Sequence, residues 1–319
     1  MKNEPSIITI GLSPSWDITC YGRNLEWGKH QVIEKQTIFP AGKAFNISRA
    51  LAWMGQLSIA AGFWGEGDFD KFKFFSDALW PLISINMTFV EGETRKNVTL
   101  VDTATRREMH LRDKTNLYSK DSFARLESNL KKIVKMGDIC VFSGAMPKGE
   151  YVDDVLRIIK SCYNTGAKVV LDTSGPALRR IIDSGLVWFI KPNISELNEL
   201  FNTEIEDKSA ILIQAGQKLL EQTENVLISR GENGAIFINK KGVWQGKAVN
   251  NKEVLNTVGC GDYLLAGFIK NMMDSGKEEV VLAEAMKIAT AKAWNLTQDK
   301  LCAEVMVELQ VDVVKMGKI

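Results

Sequence analysis

The chain has 319 residues, with 40 Lys and Arg against 39 Asp and Glu, for a formal net charge of +1. That balance excludes the basic footprint of a nucleic-acid or anionic-membrane binder, and 45% hydrophobic with 25% charged residues excludes a chain that is mainly disordered. Two histidines, His30 and His110, cannot build a multi-histidine metal site, and no G-x-S-x-G accompanies them to carry a Ser-His-Asp triad.

The five cysteines (Cys20, Cys140, Cys162, Cys260 and Cys302) form no C-x-x-C pair, and their odd number reads as reduced thiols. Met1 to Ile10 lacks the basic and apolar regions of a signal peptide. The five N-x-S/T sequons are therefore expected to be chance matches. No apolar run approaches the roughly 20 residues of a membrane span. The expected location is the cytoplasm, with no membrane and no nucleic-acid partner.

Taken in order, Ile7 to Leu12 is an apolar run closed by Ser13-Pro14-Ser15 and predicts a buried strand. Asp17 to Tyr21 and Gln31 to Phe39 alternate around Trp27-Gly28-Lys29 and predict a polar-faced hairpin. Residues 44–54 have helical spacing and stop before Gly55. Ser58 to Phe63 predicts a second buried strand. Alternation returns at Met87 to Val90, Asn97 to Asp102 and Glu108 to Leu111, read as strands outside the main sheet. With 17–39, the region 86–112 then makes a small β layer.

From residue 122 helices and short apolar strands take turns. Helices are expected at 122–134, 152–163, 177–183, 193–201, 208–222, 261–274 and 277–296. Strands are expected at 139–142, 168–171, 187–190 and 226–229, with a hairpin at 235–238 and 242–245. This rhythm predicts one α/β domain over 1–319, a doubly wound, mostly parallel sheet flanked by helices.

The most informative segment is Asn256-Thr257-Val258-Gly259-Cys260-Gly261-Asp262, which runs into the apolar helix from Tyr263. Its glycines permit a tight turn at a helix N-terminus, whose free N–H groups attract anions. Asp262 at that end is expected to stay ionised. A carboxylate beside an anion hole suits a base that takes a hydroxyl proton while amides hold phosphoryl charge. The same residues also fit an N-capping Asp on a surface helix with turn glycines. Gly22 to His30 has the wrong spacing for a P-loop, and no G-x-G-x-x-G follows a strand.

This segment resembles the D-T-V-G-A-G-D signature of the ribokinase-like (PfkB) carbohydrate kinases. Seven other segments resemble that family's motifs, in its order, across residues 13–268. Ser13-Pro14-Ser15-Trp16-Asp17 is similar to N-P-A-x-D. Phe39 to Arg49, with Gly42-Lys43-Ala44-Phe45-Asn46, is similar to G-G-K-G-x-N-x-A/S-R. Glu91 to Asn97 is similar to G-E-T-R-x-N, and Ser143 to Gly149 to S-G-S-L-P-P-G. Leu171 to Gly175 matches L-D-T-S-G, Lys191 to Leu197 resembles K-P-N-x-x-E-L, and Ser229 to Ala235 resembles S-L-G-x-x-G-A. G-E-T-R-x-N, L-D-T-S-G and the Lys of the glycine motif point to the branch of 1-phosphofructokinase and tagatose-6-phosphate kinase.

The resemblance implies a ribokinase-like fold with a small β-sheet lid formed by approximately 17–39 and 86–112, and a homodimer through that lid. It implies ATP and Mg²⁺ and a phosphorylated ketohexose as substrate: fructose-1-phosphate, tagatose-6-phosphate or fructose-6-phosphate. Asp262 would be the base, with Gly259, Cys260 and Gly261 as the anion hole. Asp17, Gly42, Asn46 and Ser143 would line the sugar pocket, with Lys43 and Arg95 near the existing phosphate and Lys29 as a further cation. Asn193 and Glu196 would organise Mg²⁺ through water, and Asn193, Ser229, Gly231 and Gly234 would border the nucleotide. Ala41, Ala44, Ala145, Met146, Cys260 and Tyr263 depart from the family pattern and bear on the substrate. Ala44 in particular would be strained if its position required a positive φ. Two other readings remain open: a kinase of an unphosphorylated sugar or nucleoside, and a non-catalytic sugar- or nucleotide-binding regulator on the same fold.

Overall fold

A computed structural model of the chain describes residues 5–79, 81–248, 254, 257–274, 276–297 and 301–317. The chain opens with β1 (Ile7–Gly11), β2 (Ser15–Gly22), β3 (Lys35–Ala41), α1 (Lys43–Trp53) and β4 (Ser58–Gly65). There follow α2 (Phe69–Leu79), β5 (Ile83–Val90), β6 (Lys96–Asp102), β7 (Arg107–Leu111), α3 (Lys120–Ile133), β8 (Ile139–Ser143), α4 (Tyr151–Asn164) and β9 (Lys168–Asp172). Next come α5 (Pro176–Ile182), β10 (Phe189–Ile190), α6 (Ile194–Phe201), α7 (Ser209–Leu219) and β11 (Asn225–Ser229). The chain closes with β12 (Ala235–Asn239), β13 (Gly242–Ala248), α8 (Cys260–Met273), α9 (Glu278–Ala293), α10 (Cys302–Glu308) and β14 (Val311–Gly317).

Ten strands form one sheet in the order β14-β13-β12-β11-β10-β9-β8-β1-β4-β5. From β11 to β5 every neighbouring pair is parallel, while β12, β13 and β14 extend the edge antiparallel. The central strands are apolar runs without alternation because helices cover both of their faces. All five residues of β1 and of β8 are buried. One face packs against α3 to α7 through residues such as Phe123, Val155, Ile181 and Leu212. The other packs against α1, α8 and α9 through Ile47, Leu51, Leu265, Phe268 and Leu282. The doubly wound expectation holds.

The second sheet has four strands in the order β3-β2-β6-β7. Its partly exposed strands agree with the polar-faced reading of 17–39, 97–102 and 108–111. Met87 to Val90 does not belong to it. Those residues end β5, which pairs parallel with β4 and so forms the far edge of the large sheet. Met87, Thr88 and Val90 are buried there, so their apparent alternation was not that of a solvated face. Three elements were not anticipated: α2, α10 and β14. The last alternates as an edge strand should and completes the β13 edge.

An aromatic cluster fastens the small sheet to the large one. Trp16 of β2 meets Trp64 of β4 edge to face at 5.3 Å, and Phe45 and Phe72 close around Trp64. Ala44 lies inside α1 with no positive φ, so the strain considered for an alanine there does not arise.

Gly62 of β4 lies tight against Gly11 of β1. Its φ is +124°, and a Cβ there would lie 2.0 Å from the Gly11 carbonyl oxygen. Gly62→Ala is therefore expected to lose about 2–4 kcal/mol of stability. Equilibrium urea unfolding measures it, and an unchanged midpoint would contradict the tight β1–β4 seam.

Candidate active site

The chain leaves β1 toward β4 and β5, then returns to β8 beside β1 and proceeds the other way through β9, β10 and β11. Such a reversal opens a crevice at the carboxyl ends of the strands. Ser13 follows β1, Ser143 ends β8, Asp172 ends β9, Lys191 follows β10 and Ser229 ends β11.

Asp172 is the centre of the charged groups there. It ends an apolar strand and is fully buried. Its Oδ1 lies 3.1 Å from Lys191 Nζ and 3.3 Å from Lys43 Nζ, and its Oδ2 accepts from Ser143 Oγ at 3.2 Å. Burial pushes the Asp172 carboxyl up, but the Lys191 and Lys43 ammonium groups outweigh it and hold it below the usual range. Lys43 is desolvated, yet the charges of Asp172, Glu196 and Asp262 raise its pKa.

Asp262 sits in the first turn of α8, buried, and its Oδ2 accepts from Asn46 Nδ2 of α1 at 2.8 Å. Gly259 caps that helix in the left-handed region, at φ 81°. The Asp262 and Tyr263 amides donate to the Gly259 carbonyl, and the Cys260 amide to that of Thr257, so the Gly261 amide alone of these four lacks a backbone acceptor among the described residues. Lys191 Nζ lies 3.4 Å from where a Gly261 Cβ would be. Burial, then the nearby Asp172 charge, pushes the Asp262 carboxyl up to about 6, while Lys43, Asn46 and Lys191 oppose the shift. It is thus ionised at neutral pH, as expected, but burial outweighs the helix end and leaves it a stronger proton acceptor than a surface aspartate. Asn256 lies outside the described residues. Cys260 is half-buried, and desolvation raises its thiol pKa, which disfavours a reactive thiolate.

Asn193 and Glu196 cap α6 reciprocally. Asn193 Oδ1 accepts from the Glu196 amide and Glu196 Oε2 from the Asn193 amide, both at 2.9 Å. The N-x-x-E spacing is thus also a capping box. Glu196 Oε1 stays outside the box, 3.9 Å from Lys43 Nζ. Burial raises the Glu196 pKa, with Asp172 adding to it and the two lysines opposing. Among the described residues no group of three or more His, Cys, Asp or Glu is set to hold a metal directly. Three carboxylates (Asp172, Glu196, Asp262) share this region with two ammonium groups. That surplus of negative charge, with Oε1 left over, fits a divalent cation held through water.

The other expected residues are dispersed around this cluster. Asp17 is exposed on β2, its Oδ1 accepting from Ser15 Oγ at 2.8 Å and Asn97 Nδ2 at 3.0 Å. Gly42 caps α1 immediately before Lys43. Arg95 donates to the carbonyls of Ser13, Pro14 and Asp113 at 3.0–3.1 Å, tying the small sheet to the end of β1. Ser229 bridges to Asn193, and Gly231 and Gly234 shape the turn between β11 and β12. Lys29 is not brought to the cluster: its side chain is 64% exposed in the β2–β3 connection and pairs with Glu26. Asp172 and Lys191 lie within the resembling motifs, yet the sequence reading assigns them no role. The available signal was a lone charge at the end of each apolar strand, after Leu171 and after Ile190.

The sequence matches the pfkB family carbohydrate kinase description over residues 6–307. It is 30% identical to a 1-phosphofructokinase of Borreliella burgdorferi, covering 96% of this chain and 98% of that one. It is 29% identical to a 1-phosphofructokinase of Bacillus subtilis, covering 96% and 99%. The solved phosphofructokinase-2 of Escherichia coli in complex with potassium superposes with a TM-score of 0.88 over 96% of this chain and 98% of that one, at 21% identity, a likeness of fold. The chain belongs to the pfkB family of carbohydrate kinases and is a phosphotransferase.

Proposed function

We propose that this enzyme transfers the γ-phosphoryl group of ATP to a hydroxyl of a phosphorylated ketohexose, giving a bisphosphate, with Asp262 as the base. The observation that carries this reading is the buried Asp262 carboxylate at the N-terminus of α8, oriented by Asn46 and pushed up to about 6. A base with a pKa just under neutrality is both ionised and able to accept a proton at working pH. The name 1-phosphofructokinase borne by the curated relatives favours fructose-1-phosphate as acceptor.

In this mechanism Asp262 accepts the hydroxyl proton as the acceptor oxygen bonds to the γ-phosphorus. The bond from phosphorus to the leaving ADP oxygen breaks in line with it. The Gly261 amide and the α8 N-terminus stabilise the transferring group, and Lys43 and Lys191 offset its charge. Glu196, with Asn193 beside it, would hold Mg²⁺ through water, and the ion would supply positive charge toward the phosphates. Ser229, Gly231 and Gly234 border the nucleotide. Asp17 Oδ2, Gly42 and Ser143 line the sugar pocket, and the remaining Arg95 donors meet the acceptor phosphate. Lys29 has no part in this scheme.

The small sheet is proposed as a lid over a single domain, closing on the sugar to exclude water. Its edges β3 and β7 are open, and Trp27 (85% exposed), Val32 (86%) and Phe39 are solvent-facing on or beside it. These features favour a homodimer paired through the lid. No helix among the described residues is long and apolar enough to cross a membrane, and a cytoplasmic location agrees with this.

Three outcomes are expected. ADP release from MgATP should be fastest with fructose-1-phosphate among phosphorylated and free sugars. Turnover confined to free sugars or nucleosides would remove the phosphate roles of Arg95 and Lys43. Asp262→Asn, which keeps the Asn46 contact possible, should lower kcat by about 10²–10⁴-fold with little change in melting temperature. In the wild type, kcat/KM should rise with pH through an apparent pKa near 6, because only the ionised carboxylate accepts the proton. A flat profile between about pH 5 and 8 would rule out Asp262 as the base.

A further inference from the structure

Beside the cluster of carboxylates lies a group of opposite character. Lys292, near the C-terminal end of α9, brings its Cε within 3.7 Å of the point where a Gly259 side chain would begin. Its ammonium stands 5.7 Å from the centre of the Tyr263 ring. The charge of Arg49, exposed on α1, also acts on Lys292 and on the Tyr263 hydroxyl. Neither cation has an ion-pair partner among the described residues, whereas Lys43 and Lys191 both do. Burial first, and then Arg49, push the Lys292 ammonium below its ordinary range, with Cys260 and Asp262 pulling the other way.

A lysine ammonium and a helix N-terminus thus converge on Gly259, with Asp262 Oδ2 3.8 Å from that same point as the nearby counter-charge. Burial and Arg49 disfavour the ammonium there, and a bound polyanion would favour it. α1 links the two regions. Lys43, Asn46 and Arg49 follow each other at three-residue steps over about 9 Å of helix. The first meets Asp172 and the second Asp262, while the charge of the third acts on Tyr263 from further along the helix. Lys292 belongs to α9, which packs on β12 and β13, the hairpin that follows the Gly231–Gly234 turn. The candidate sugar contacts Asp17, Gly42 and Arg95 lie at the other end, on β2, at the start of α1 and beside the small sheet.

We propose that Lys292, beside the Gly259 turn, binds phosphate oxygens of the nucleotide at the N-terminus of α8. The proposal rests on the kinase reading above. It names a residue that the family resemblance did not single out, and adds a cation for the nucleotide phosphates at the α8 N-terminus.

The test compares wild type, Lys292→Met and Lys292→Arg by calorimetric titration with MgADP and with an ATP analogue that is not hydrolysed, by KM for each substrate and by apo melting temperature. Lys292→Met keeps an unbranched apolar stem over Tyr263 but removes the charge. Its nucleotide Kd is expected to rise about tenfold, with the phosphosugar KM unchanged and Lys292→Arg close to wild type. Its apo melting temperature is expected to stay level or rise, since the repulsion from Arg49 is gone; a purely structural lysine would give a fall. Unchanged nucleotide affinity overturns the proposal. A raised phosphosugar KM with nucleotide affinity intact also overturns it, by giving Lys292 to the acceptor's phosphate. A wild type that binds no nucleotide overturns the kinase reading itself, an outcome distinct from either.

Discussion

The architecture of the site depends on a carboxylate that the apolar core cannot leave unpaired. Asp172 is carried into the interior by β9, whose Val169, Val170 and Leu171 are fully buried. An isolated charge there would cost several kcal/mol. It persists because α1 delivers Lys43, the end of β10 delivers Lys191, and the end of β8 delivers Ser143. Each partner comes from a different element, so one buried charge fixes three strand ends and a helix N-terminus relative to one another. Lys43 and Lys191, held there, are what keep Glu196 and Asp262 from being driven further toward their neutral forms.

The same constraint divides the crevice by charge. Asp172, Glu196 and Asp262 outnumber the ammonium groups that face them, so this end is short of positive charge. Around Gly259 positive character is added by the α8 N-terminus and Lys292, with Asp262 the carboxylate beside them. Asp262 lies at the boundary and takes its raised pKa from burial and from Asp172. In the proposed reading Asp262 would accept the proton beside a helix N-terminus and a lysine that can meet phosphoryl charge. The small sheet completes the arrangement. It is pinned through Trp16 and Arg95, contacts that orient it over the strand ends while its outer edges stay open.

Much of this was legible in the chain itself. Apolar runs without alternation at 7–12, 139–142 and 168–171 announced strands covered on both faces, because only such strands tolerate hydrophobic residues on both sides. The glycines before Asp262 announced a helix start with free amides, since few other residues turn so tightly. Ordered motifs carried the family. The alternating strands around 97–111 were also readable as a half-solvated layer. Burial misled the reading at Met87 to Val90, where β5 is an edge strand covered by α2 and α3 and its mixed pattern imitates a surface strand. Aromatic-rich α2 and the short C-terminal elements carry too little periodicity to stand out alone.

What the sequence determined by itself was therefore local and periodic: which segments are strands or helices, where a helix begins on glycine, and which motif residues belong together. Tertiary structure decided the rest, because charge acts through space and not along the chain. Lys43 and Asp172 are 129 residues apart, and Asn46 and Asp262 are 216 apart. No spacing rule reaches that far. Only the reversal of strand order at β1 and β8 brings these side chains within hydrogen-bonding distance, makes Asp172 a hub, leaves Lys29 outside, and sets Lys292 against the turn at Gly259.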